Sequence, residues 1–181
     1  MLVTRRYDRE SAVLYARTWA LGRNPLFLNF TGIGGDCTNF ISQCVLAGSC
    51  AMNYTPTFGW YYITAEDRTP SWTGVDYFYN FMTENQGVGP YATLTTERYV
   101  LPGDVVQLGQ RGGDFYHTLL ITGFRGRIPL VCAHSDDALD RRLDSYVYDQ
   151  SRFLHIERIR VDLDAPQDRN CLPGLLSGEA L

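Results

Sequence analysis

The residues with the strongest claim to chemistry lie in Gly34-Gly35-Asp36-Cys37-Thr38-Asn39-Phe40-Ile41-Ser42-Gln43-Cys44. Two glycines form a turn, and Phe40, Ile41, Cys44 and Val45 then recur at helical spacing. A helix with one apolar face therefore begins close to Cys37. Asp36 is placed as its N-cap, with a carboxylate able to accept a first-turn backbone N–H; orienting substrate is the rival role. A cysteine beside the positive end of a helix dipole is biased toward thiolate, the nucleophilic form. Free cysteine more commonly acts as a small buried hydrophobe, which is the reading for Cys44 on the apolar face. Cys37 escapes that reading only if it has a partner.

A thiol nucleophile needs a base, and the base needs an orienting group. Three histidines are available. His155 stands among charged residues in a terminal strand, where a surface position explains it. His117 opens His117-Thr118-Leu119-Leu120-Ile121-Thr122-Gly123, just past the Gly-rich connection from Gly109 to Gly113. A polar residue there can face a cleft while the rest of the strand fills a core. His134 ends the following strand, and a turn at Gly126 brings the two to one sheet edge.

These residues need elements to position them. Asp8 to Leu21 reads as an amphipathic helix with Ala12, Val13, Ala16, Trp19 and Ala20 on its apolar stripe, ended by Gly22 and Pro25. A loop with Phe27 and Phe30 leads to the Cys37 helix, which stops near Gly48. Ser49 to Pro70 reads as loop with short extended pieces. Ser71 to Asp76 opens a further helix carrying Tyr77, Phe78, Phe81 and Met82, closed by Gly87, Gly89 and Pro90. Strands follow: Val105 to Leu108, Phe115 to Thr122, Ile128 to His134 and Phe153 to Ile159, with Ser135 to Asp144 as a polar loop. Helices first and an antiparallel sheet afterwards is the α+β pattern. The expected organisation is a single domain over residues 1–162 and a loosely packed tail over 163–181.

Composition narrows the classes. A chain of 181 residues with 45% hydrophobic and 20% charged residues has the make-up of a globular domain. Its net charge of −4, with both signs mixed throughout, gives no case for nucleic acid. No apolar run reaches the length of a membrane span. The charged N-terminus has no apolar stretch behind it, so no signal peptide is expected, and the localisation expected of this chain is cytoplasmic unless an export region is missing. Five cysteines without regular spacing suggest reduced thiols, with Cys44–Cys50 as the pair to consider in an oxidising compartment. Metal-ligand spacing is missing, so neither metal nor organic cofactor is expected.

Taken together, the Gly34 to Gln43 stretch, Ser71-Trp72, Leu101-Pro102-Gly103-Asp104-Val105-Val106, Tyr116 to Gly123 and Ala133-His134-Ser135-Asp136 resemble the bacterial putative amidase domain family. That family is similar in plan to the CHAP amidohydrolases and other small cell-wall hydrolases of papain-like fold. The resemblance runs from about Tyr7 to Tyr148. It implies a papain-like fold with the nucleophile at a helix N-terminus packed on an antiparallel sheet. It further implies a cysteine amidase or peptidase working through an acyl-enzyme on a peptide or peptidoglycan-like substrate. The family's cysteine falls on Cys37 and its histidine on His117, with the third polar group on His134 or, as rival, Asp136. Trp60 and Trp72 are candidate walls of the cleft. The alternative is a catalytically inactive module of the same fold that binds glycan or peptide.

Overall fold

The computed structural model describes residues 1–165, 167 and 170–180. Among these residues, five α-helices and seven strands give an α+β arrangement: β1 (Leu2–Arg5), α1 (Arg9–Trp19), α2 (Cys37–Ser49), α3 (Pro70–Thr73), α4 (Val75–Glu84), β2 (Gly89–Thr95), β3 (Val105–Gly109), β4 (Phe115–Arg125), β5 (Ile128–Ala133), β6 (Ala138–Arg142), β7 (Gln150–Asp162) and α5 (Leu172–Ser177). The sheet is antiparallel throughout, in the order β1-β7-β3-β4-β5-β6 with β2 also on β7. Strand β7, second in that order, has 13 residues, long enough to take β1 and β3 in succession on one edge and β2 on the other.

Strand alternation divides the core in two. Val105, Leu120, Cys132, Leu154 and Ile156 join the helices in the larger apolar cluster. Their neighbours Val106, Leu119, Ile121, Val131, Ala133 and Phe153 point to the opposite face and form a second cluster with Leu143. Successive side chains of a strand face opposite ways, so β3, β4, β5 and β7 each supply both clusters.

Within the first cluster α2 is buried along its whole length, polar residues included. Each such residue therefore needs an internal partner. Thr38 shares a hydrogen bond with Thr118 at 2.9 Å, and Asn39 accepts from the Trp72 indole at 3.0 Å. Ser42 donates to the Trp72 carbonyl at 2.9 Å and accepts from the Trp60 indole at 3.1 Å. Gln43 accepts from the Tyr15 hydroxyl at 2.7 Å. The polar residues of the motif thus fix the helix rotationally against α1, α3 and β4, a specificity that apolar contacts alone would not impose.

Several expectations are corrected. The apolar stripe of α1 packs as expected, with Asp8 accepting from the Ser11 N–H as its cap. The strands β1 and β2 were not expected, and β6 occupies the segment read as a polar loop. The tail is not loose in its described part. Leu175 is fully buried, and its carbonyl accepts from Asn24 at 2.9 Å and Trp19 at 3.2 Å. A disulfide joins Cys50, at the end of α2, to Cys171, whereas Cys44 is a free buried thiol. The pairing considered for Cys44 and Cys50 is overturned, and the expectation of reduced thiols fails for Cys50 and Cys171 while Cys37, Cys44 and Cys132 are free.

Candidate active site

Cys37 is the first residue of α2, and its environment differs from the one expected. Asp36 occupies the N-cap position, yet its side chain makes no capping hydrogen bond. The carboxylate is turned instead to the Phe30 N–H at 2.9 Å, the Asn39 amide at 2.8 Å and His134 Nδ1 at 2.6 Å, with Arg23 Nε at 3.3 Å. Burial pushes the Asp36 carboxyl up, but the hydrogen bonds from His134, Phe30 and Asn39 outweigh it and hold the group below the usual carboxylate range. The Asp36 N–H donates to Ser135 Oγ at 2.8 Å.

The Cys37 sulfur lies 3.8 Å from Thr38 Oγ1 and 4.0 Å from the Tyr116 carbonyl. Burial pushes this thiol up, and the Asp36 charge adds to that. Hydrogen bonds from the Thr118 and Thr38 backbone and the Thr38 hydroxyl pull the other way without reversing the shift. The bias toward thiolate expected from the helix start is thus opposed by burial and by the Asp36 charge, which together hold the thiol above its ordinary value.

His117 sits near the start of β4, and its ring is 6.0 Å from that of Tyr146. Burial lowers its pKa to about 4, against an upward pull from Asp136 and with a further downward push from Arg141. At neutral pH the imidazole is uncharged and able to accept a proton. Among the described residues no hydrogen bond joins His117 to Cys37. Both nevertheless line one open cleft of about 440 Å³, together with Gly34, Gly35, Gly74, Tyr116 and Asp136.

His134 does not serve the base. Its Nδ1 lies 2.6 Å from Asp36 and its Nε2 2.9 Å from the Trp19 carbonyl, and its ring stacks on Phe40 at 3.7 Å. Both nitrogens are occupied, so neither is left for His117. Asp136 lies on the cleft and acts on His117 through its charge, while its carboxylate pairs with Arg141 at 3.0 Å. Ser135 and Asp136 form the β5–β6 turn with φ of 59° and 89°, left-handed values that are strained for residues other than glycine. That turn delivers Ser135 to the Asp36 N–H and Asp136 to the cleft.

Trp60 and Trp72 are not cleft walls. Both are fully buried, with rings 4.9 Å apart and both indole N–H groups bonded to α2. The exposed or half-exposed aromatics at the cleft are Tyr116 and Tyr146 instead. Arg23 and Tyr146 escaped the sequence reading because each reaches the site from a loop or the end of a short 3-10 turn that carries no periodic signal, and Ser135 was noted only as part of a motif.

A family model described as a putative amidase domain matches residues 6–157. The chain belongs to the putative amidase domain family. It is also 32% identical over 160 residues to the Bacillus subtilis (strain 168) protein described as uncharacterized protein YhbB. That alignment takes in 83% of this chain and 50% of the relative, so the chain spans about half the length of the protein it matches. No solved structure matches the chain. All cleft residues from Gly34 to Tyr146 fall inside the putative amidase domain match, whereas Cys171 and α5 lie beyond it. No helix among the described residues is long and apolar enough to cross a membrane.

Proposed function

We propose that this putative amidase domain is a cysteine-dependent amide hydrolase of papain-like plan, with Cys37 as nucleophile and His117 as base. The observation that carries the reading is the meeting of these two residues, one from a helix start and one from a strand start, in a single open cleft. Their charge states suit general-base catalysis from a neutral pair: burial keeps the thiol protonated and the imidazole free of its proton. As substrate enters, His117 takes the Cys37 proton while sulfur attacks the carbonyl carbon. The oxyanion of the tetrahedral intermediate is met by backbone N–H groups at the start of α2, which no side chain caps. Collapse expels the amine, which takes the proton from His117, and leaves a thioester on Cys37. Water, deprotonated by the same imidazole, then releases the acid. A base–nucleophile contact looser than a hydrogen bond is common before substrate binds.

Asp136 is the acidic group acting on His117, stabilising the imidazolium that forms in each half-reaction. Peptidoglycan stem peptides are the substrate class this reading favours. The disulfide between Cys50 and Cys171 supports it, since such bonds persist chiefly in oxidising compartments such as the cell exterior. A second reading, a binding module of the same fold, draws on the missing Cys37–His117 hydrogen bond. Incubation with peptidoglycan fragments and simple peptide amides separates the two. The hydrolase releases new amine and carboxyl termini, and Cys37→Ala, with an unchanged thermal melt, releases none. Wild-type protein that binds such fragments without releasing any product is the binding module, and Cys37→Ala with full turnover rejects the nucleophile.

A further inference from the structure

Asp36 and His134 were expected to act separately, one capping α2 and one holding the catalytic imidazole. In the structure each occupies the other. The Asp36 carboxylate is almost completely buried and receives hydrogen bonds from Phe30, Asn39 and His134, with Arg23 3.3 Å away. His134 Nε2 faces the Trp19 carbonyl and its Nδ1 faces the Asp36 carboxylate. The carboxylate and the carbonyl oxygen can only accept, so His134 presents one ring nitrogen to each acceptor. Ser135, the next residue, accepts from the Asp36 N–H at 2.8 Å. The end of β5 therefore grips the residue before Cys37 twice, once by its side chain and once by its backbone.

We propose that His134 and Arg23 are positioning residues for the nucleophile: they hold the Asp36 carboxylate off the first turn of α2 and balance its charge, leaving Cys37 and the helix terminus open to the cleft. This rests on Cys37 being the nucleophile of the reading above. A carboxylate released from this grip has two effects. It can swing to the uncapped N–H groups of α2, the usual habit of aspartate at this position. It also places an unbalanced negative charge one residue from the sulfur, which disfavours thiolate. The charged groups around His134 come from three places: Asp36 before α2, Arg23 after α1, and Asp137, which pairs with Arg23 at 2.9 Å from the β5–β6 turn.

The test is the pH dependence of Cys37 alkylation by iodoacetamide, resolved by peptide mass spectrometry. In His134→Ala the midpoint moves up by roughly one pH unit relative to wild type, and in Arg23→Gln by less in the same direction. Adding Asp36→Asn to either variant brings the midpoint back to the wild-type value or below. A purely structural role would not be reversed by removing the charge on Asp36. Arg23 is partly exposed, so Arg23→Gln and its Asp36→Asn double variant carry the test alone if His134→Ala does not fold. Unmoved midpoints in the folded single variants, or a shift that survives Asp36→Asn, overturn the proposal. Alkylation interrogates only the thiol, so this result stands apart from whether an amide is hydrolysed.

Discussion

Two acid–histidine–arginine clusters of nearly the same composition stand at the two ends of α1. Asp104, fully buried, takes Arg9 at 2.6 Å, His155 at 2.9 Å, and the backbone N–H groups of Leu101 and Ile156. Asp36, also buried, takes His134 at 2.6 Å and Arg23 at 3.3 Å with the Phe30 N–H and the Asn39 amide. Their chemistry is nearly interchangeable, but their surroundings are not. The first cluster fastens α1 to β3 and β7, with Arg9 also reaching the Ile156 carbonyl at 2.6 Å. The second abuts a cysteine at a helix start and a strained turn on an open cleft. A histidine beside an aspartate is therefore no indicator of catalysis by itself. Among the described residues, no carboxylate is hydrogen-bonded to His117, the histidine proposed for the chemistry, though the Asp136 charge acts on it.

Breaking the first cluster should cost stability and leave the cleft alone. Asp104→Ala strands Arg9 and His155 in a largely buried setting and lowers the unfolding free energy by roughly 3–5 kcal/mol. The check is denaturant unfolding, paired with alkylation of Cys37 in the folded protein, whose pH midpoint stays at the wild-type value. A midpoint that moves would show that the two clusters are not separate.

His117 extends the contrast through pH. Burial holds His117 down to about 4 from the ordinary 6.5, so between these values the native state binds fewer protons than the unfolded chain. Its contribution to stability is complete above pH 6.5 and is lost as pH falls toward about 4, a change on the order of 3 kcal/mol. Asp36, held below the usual carboxylate range, gives up its own contribution only in stronger acid. The unfolding free energy measured as pH falls through this window declines in wild type and declines less in His117→Gln.

The sequence disclosed what repeats along the chain and concealed what depends on a distant partner. The helices α1 and α2 were readable because their apolar residues keep the helical period, and β3, β4 and β5 because each alternates between two turn signals. The strand β6 was hidden, since Ala138-Leu139-Asp140-Arg141-Arg142 is polar and becomes a strand only through its register on β5. The edge strands β1 and β2 depend on the length of β7 in the same way. Cys37 and His117, both singled out in the sequence, line one cleft. The partner of His134 was not, because nothing in a linear pattern says that Asp36 will forgo its helix cap for a ring 98 residues away. The tryptophans misled for a related reason: their burial follows from the polar face of α2, which bonds both indoles.

The most direct test of Cys37 and His117 as a nucleophile–base pair is single-turnover reaction with p-nitrophenyl acetate, an activated acyl donor that makes no demand on substrate specificity. The expected result is a burst of one nitrophenolate per protein molecule, with the acetyl group on Cys37 by peptide mass spectrometry. The burst slows by roughly 10²–10⁴-fold in His117→Ala, the span of general-base catalysis. An acetyl group found elsewhere, or a Cys37 burst just as fast without His117, would contradict the pair.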